Sequence, residues 1–118
     1  MFLNMTHSNL DVYKCSRQLV LESYKLTKKF PDAERYELTR QIRRAATSVT
    51  LNIAEGCSRN SFSERKRYFE IARGSAIEID SALDLTFDLE YASIEEMSLL
   101  GSLLLRVFKI LSKMINNE

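Results

Sequence analysis

The chain has 118 residues, 45% of them hydrophobic and 28% charged, with a formal net charge of +1. That length fits one domain and can bury a single core without disulfide or metal staples. One proline and three glycines exclude a hairpin-rich sheet protein, which needs turn residues every few positions, and leave long uninterrupted helices.

Periodicity and capping signals predict four helices, over about residues 9–29, 32–55, 61–90 and 93–115. In the first, Val12, Ser16, Leu19, Ser23 and Leu26 recur at alternating steps of four and three, and Phe30 closes the series. Pro31 disfavours helix at the residue before it. The second carries a stripe of Leu38, Ile42, Ala45, Val49, Asn52 and Gly56, widened by Ala46 and Ile53. Gly56 stands where a left-handed C-terminal cap is wanted. Asn52 reads either as an edge residue bonded to water or backbone, or as a buried polar group that fixes register. The third helix opens with the capping box Ser61/Glu64 and the fourth with Ser93/Glu96. The fourth then continues through Met97, Leu100, Leu104, Val107, Leu111 and Met114. Helices of this length span roughly 30 to 45 Å, and the short connections make sequential helices antiparallel neighbours. The expected fold is therefore all-α, an antiparallel up-down four-helix bundle in one domain over residues 1–118. No internal repeat or low-complexity tract is present.

The third helix carries more apolar surface than one core face requires. Tyr68, Phe69, Ile71, Ala72, Ala76, Ile79, Ala82, Leu83, Leu85, Phe87 and Leu89 cover an arc of about 200°, whereas roughly 100° suffices for packing on a single core. Part of this arc is expected to face a second copy. Gly74 and Ser75 in mid-helix leave room for another backbone, and Gly74 costs about 1 kcal/mol of helix propensity relative to alanine. Glu78 falls inside the arc. It is either buried beside an arginine, since an unpaired buried carboxylate is strongly disfavoured, or wet at the rim.

The inventory of reactive groups is thin. His7 is the one histidine, in an N-terminus expected to fray, so no Cys-His or Ser-His pair is expected. No Glu-x-x-His occurs, which excludes bundles of the di-iron kind. The glycines, at 56, 74 and 101, form no phosphate loop. Catalytic residues, metal ligands and cofactors are all expected to be absent, and a small-molecule substrate with them. Cys15 and Cys57 make no metal-type pair, and a reduced, cytoplasmic protein is the simplest reading. No apolar run reaches the roughly 20 residues that span a bilayer. Residues Met1 to Asn9 do not read as a signal peptide.

Charge is divided along the chain. Residues 35–74 hold nine Lys/Arg and four Asp/Glu, while residues 75–105 hold seven acids and no base. Asp80, Asp84 and Asp88 repeat at steps of four near a helix C-terminus, where both mutual repulsion and the helix dipole are unfavourable. Arg40, Arg43 and Arg44 are the expected neutralising partners, within one subunit or across a boundary. At the other end of the bundle gather Arg59, Arg65, Lys66, Arg67 and Arg73, joined by Lys14 and Arg17 from the first helix and Arg106, Lys109 and Lys113 from the fourth. This set reads as ordinary surface charge or as a phosphate-binding patch.

A longer pattern runs through Phe30-Pro31, Glu34, Tyr36, Leu38-Thr39, Gln41-Ile42-Arg43-Arg44-Ala45 and Ser48. It continues in Asn52-Ile53-Ala54-Glu55-Gly56, Arg59, Ser61, Ile71-Ala72-Arg73-Gly74-Ser75 and Glu78. It resembles the bacterial four-helix bundle family of the 23S rRNA intervening-sequence proteins, to which the accessory variability determinant of diversity-generating retroelements is related. The resemblance covers about residues 10–115. It implies a ring-shaped homopentamer, a non-enzymatic role and, by analogy with the retroelement members, RNA or a ribonucleoprotein as partner. The sequence departs from the family at Thr50, where a proline is usual.

Two functions follow as expectations. The first is an oligomeric interaction module that binds RNA or a ribonucleoprotein through the basic end. The second is a structural or protein-binding homo-oligomer with no nucleic-acid role. Candidates for the self-association surface are Arg43, Arg44, Ile71, Gly74, Ser75, Glu78, Ala82, Leu85 and Leu89.

Overall fold

The computed structural model describes residues 1–116, in which four α-helices and two short 3-10 turns are the only regular elements. The helices are α1 (Asp11–Thr27), α2 (Leu38–Cys57), α3 (Phe62–Asp88) and α4 (Ile94–Asn116). Each packs on the next, and α1 closes the bundle against α4. Side-chain pairs give the directions. Ser48 meets Ser75 while Arg44 meets Glu78, and Asp11 meets Arg106 while Lys29 meets Glu96. Both sets run antiparallel. The molecule measures 44 × 30 × 23 Å.

The apolar stripes meet in one core. Val12, Leu19, Leu26, Ile42, Val49, Ile53, Ile79, Leu104, Val107 and Leu111 are all buried. At roughly 25 cal/mol per Å² of apolar surface removed from water, such side chains supply the main stabilisation. Small polar groups at the helix contacts satisfy one another. Thr50 Oγ1 donates to Ser16 Oγ at 3.0 Å, and Ser16 donates on to the Tyr13 carbonyl at 2.7 Å. On the other side of α2, Asn52 Nδ2 donates to the Ser48 carbonyl and hydroxyl, and Ser75 Oγ reaches that hydroxyl at 2.9 Å. Asn52 is thus the half-buried edge residue bonded to its own helix, and α2 runs unbroken through Thr50.

Several local expectations are corrected. α2 starts at Leu38 rather than Asp32 because residues Asp32–Glu34 form a 3-10 turn and Glu37 leaves helical geometry, with φ −115° and ψ −104°. Glu34 Oε1 then accepts the Leu38 N–H at 3.3 Å. Gly56 is no left-handed cap, since no glycine has positive φ and α2 continues to Cys57. The helix end that does close through a left-handed residue is that of α3, at Glu90, φ 61°. There Glu90 N–H bonds the Phe87 carbonyl and Tyr91 N–H bonds that of Thr86, a Schellman closure. His7 belongs to a 3-10 turn at Thr6–Asn9, and its ring meets that of Tyr13 edge-on at 4.8 Å.

Both helix starts predicted from capping boxes are present. Ser61 Oγ accepts the Glu64 N–H at 3.2 Å. Ser93 and Glu96 cap reciprocally, at 2.9 Å and 3.1 Å. These caps direct α3 and α4 away from opposite ends of the bundle, so the start of α3 meets the start of α1 and the end of α4.

Candidate nucleic-acid interface

The ten cations expected at the basic end do gather there, but they divide into two groups. Four are engaged in holding the fold. Arg59 Nη2 lies 2.6 Å from Glu55 Oε2 and 3.1 Å from the Tyr68 hydroxyl. Arg65 Nη1 donates to the Arg59 carbonyl at 3.1 Å, fastening the turn between α2 and α3. Arg73 Nη1 reaches Ser112 Oγ at 3.2 Å, tying α3 to α4. Arg106 holds Asp11 Oδ2 through Nε at 3.1 Å and Nη2 at 2.7 Å, bracing α4 against the start of α1. The other six, Lys14, Arg17, Lys66, Arg67, Lys109 and Lys113, form no ion pair among the described residues. All but Lys66 are exposed. They form a cationic surface, fed by α1, α3 and α4, in which no carboxylate is within ion-pair distance among the described residues.

The surplus apolar arc of α3 is confirmed as surface. Ile71, Leu85 and Leu89 are exposed, and a β-carbon on Gly74 would touch nothing within 4 Å. Glu78 sits at this strip's edge, 3.9 Å from Arg44, with both side chains wet. It is a rim residue, and its arginine neighbour does not make it a buried pair. Ser75 is spent on its bond to Ser48, and Ala82 lies in the core. Arg43 points away from α3, toward α1, where its Nε donates to Thr27 Oγ1 at 2.8 Å.

The acidic residues are not neutralised within the chain. Asp80, Asp84 and Asp88 pair with no cation among the described residues. Helix geometry explains it: Asp80 lines a groove on the α4 side of α3, with Ile77, Gly101, Leu105 and Phe108. Arg40 and Arg43 line the α1–α2 face instead. The half of the bundle that the sequence marks as acidic is therefore acidic on one side and cationic on the other. That cationic side gathers Tyr24, Arg35, Tyr36, Arg40, Arg43 and Arg44 around one cleft. Sequence reasoning assigned Arg40, Arg43 and Arg44 to the aspartates and gave Arg35 and the two tyrosines no place in a site.

Both cysteines are free. Burial pushes the Cys15 thiol above its ordinary pKa, and nearby Asp11 adds to it. Burial likewise raises Cys57, partly offset by Arg65. Both favour the neutral, unreactive thiol. Among the described residues no group of three potential metal ligands comes together, and no helix is long and apolar enough to cross a membrane.

Comparison with known proteins places this geometry. Residues 8–113 match the family model described as 23S rRNA-intervening sequence protein. The fold is similar to the crystal structure of a protein of unknown function from the S23 ribosomal protein family of Bacteroides thetaiotaomicron. The TM-score is 0.80 at 23% identity, over 90% of this chain and 99% of that one. No curated protein matches.

Proposed function

The chain belongs to the 23S rRNA-intervening sequence protein family, and from that premise we propose that it is a non-enzymatic, homo-oligomeric module that binds RNA or a ribonucleoprotein through its basic end. The observation that carries this reading is the set of six unpaired cations, Lys14, Arg17, Lys66, Arg67, Lys109 and Lys113, converging from three helices on one end. Lysine and arginine free of acidic partners are available to phosphate, and the start of α3 adds unsatisfied N–H groups and its dipole. The outer strip of Ile71, Gly74, Leu85 and Leu89 is the proposed contact between copies. Five copies in a ring is the number the family resemblance suggests, and the cytoplasm is the proposed compartment. Parallel copies would repeat the basic end along one rim, so that weak contacts act together.

A gel-shift salt series on wild type and a Lys66→Glu, Arg67→Glu double variant tests this. Arg65 is left intact because it fastens the α2–α3 turn. Wild-type binding should fall steeply with salt, and the variant should bind less with a shallower salt dependence. Equal binding by both proteins would remove the basic end as the site.

The groove between α3 and α4 favours a second reading, a protein-binding homo-oligomer. It is lined by Ile77, Leu105 and Phe108, all exposed, with Asp80 at its edge. Absence of RNA binding by wild type even at low salt would leave this reading in place of the first.

A further inference from the structure

We propose that the α1–α2 face carries a second nucleic-acid contact, a cleft in which arginines hold the phosphates of a single strand while Tyr24 and Tyr36 offer their rings to its bases. The inference takes only its class of ligand from the RNA reading above. It concerns different residues, on the half of the molecule away from the basic end.

Arg35, Arg40, Arg43 and Arg44 line one open cleft of about 470 Å³ with the two tyrosines. Of these arginines, Arg35, Arg40 and Arg43 form no ion pair among the described residues, and Arg44 has a loose, wet contact with Glu78 beside a 2.8 Å bond from Nη2 to Gln41 Oε1. Neighbouring acids do not serve them: Glu34 is occupied by the Tyr91 hydroxyl at 2.7 Å and by the Leu38 N–H, and Asp32 and Glu37 pair with no cation among the described residues. Arg40 and Arg44 stand one helical turn apart, a spacing at which like charges destabilise a helix. An anion in the cleft relieves that repulsion.

Arg43 is set in place before any ligand arrives. Its Nε donates to Thr27 Oγ1, and that buried hydroxyl is itself fixed by donating to the Ser23 carbonyl at 2.8 Å. The guanidinium carbon lies 4.5 Å from the centre of the Tyr24 ring. One edge of the fork is thus anchored, while the Nη groups have no carboxylate partner. A pre-positioned planar fork suits phosphate and loses little freedom on binding.

The tyrosines separate a nucleic acid from a simple anion. Tyr36 is 70% exposed and Tyr24 40% exposed. Arg35 lies 5.6 Å from the Tyr36 ring centre. Exposed rings among arginines form the kind of platform on which single-stranded bases stack, with little regard to sequence. The cleft runs along α2 from Thr39 to Thr47, about two turns, which suits a strand better than one nucleotide.

The test measures binding of a fluorescently labelled oligouridylate at low salt by anisotropy, with light scattering on every protein. Tyr36→Ala, which removes an exposed ring, should weaken binding by about fivefold or more. Arg43→Lys, which keeps the charge but loses the fork, should also weaken it. The Lys66→Glu, Arg67→Glu variant reports on the basic end separately. Loss in the cleft variants alone supports the cleft and removes the basic end. Loss in all of them supports both sites. Loss in the basic-end variant alone overturns the cleft and leaves the basic end standing. Displacement of the strand by uridine monophosphate at similar concentration would replace the strand with a free nucleotide and overturn the proposal. So would an Arg40→Glu variant that disperses the oligomer without changing RNA binding, because the cleft would then be the seat of a second copy's acidic groove.

Discussion

Gly56 on α2 lies directly under the ring of Phe69 on α3. A β-carbon at Gly56 would come within 2.7 Å of Phe69 Cε1 and 2.9 Å of Cδ1, closer than such atoms pack. Phe69 is itself buried, so the ring has little room to withdraw. Glycine is therefore required here by the approach of two helices, and the backbone is ordinary helix.

Gly56→Ala should destabilise the protein. Overpacking costs about 1 to 3 kcal/mol, against about 1 kcal/mol gained in helix propensity. Urea unfolding should show a lower midpoint at unchanged slope. An unchanged or higher midpoint would mean that the Phe69 ring gives way.

Gly74 should behave in the opposite sense, because nothing lies within 4 Å of its missing β-carbon. Gly74→Ala should stabilise the chain by up to about 1 kcal/mol. Gly74→Leu should leave the subunit folded but weaken self-association, if the outer strip of α3 is where copies meet. Melting temperature and light scattering separate the two effects. A leucine variant that assembles like wild type would place the interface elsewhere.

Glu90 holds a left-handed conformation at φ 61°, which costs a residue with a β-carbon roughly 1 to 2 kcal/mol. Its carboxylate also sits beyond the negative end of α3. Glu90→Gly should therefore raise stability by about 1 kcal/mol without changing the fold. Chemical denaturation checks it, and a loss of stability would point to a contact made by the glutamate side chain.

Glu96 should make the fold weaken in acid. Its carboxyl is held below the usual carboxylate range, chiefly by the Ser93 backbone N–H, then by the Ser93 hydroxyl and Lys29. A depressed folded value means that the unfolded chain binds the proton more readily. The stabilisation is present above the unfolded value and is lost as pH falls through the folded one. Glu96→Gln should melt below wild type at neutral pH, and the gap should close in acid. A gap independent of pH would show that the ionised carboxylate is not what caps α4.

Much of the fold was legible because its signals are local. The α1 stripe from Val12 to Leu26 and the α4 stripe from Met97 to Leu111 are buried as their spacing requires. Ser61 and Ser93 start their helices because a side-chain oxygen and a free N–H three residues on need only each other. The boundary errors fall where backbone geometry departs from its local preference, at Glu37 before α2 and at Glu90 after α3. The candidate sites were less legible. Sequence located the cations of the basic end but could not tell the engaged from the free. It also set Arg40, Arg43 and Arg44 against Asp80, Asp84 and Asp88 because both groups stand at one level of an antiparallel bundle. Level along the axis is a matter of counting residues, whereas the side of the bundle depends on how each helix is rotated about its axis.

By itself, then, the sequence determined four helices, their order, their buried faces and the surplus apolar arc of α3, since each depends on spacing within one segment. Only the tertiary structure decided what each polar or small residue does there. Arg73 is tied to Ser112 across 39 positions, and Arg106 to Asp11 across 95. Gly56 is pressed against Phe69 while Gly74 faces open space. Those partners are set by helix rotation and depth of packing, which arise when four apolar faces must fill one core together.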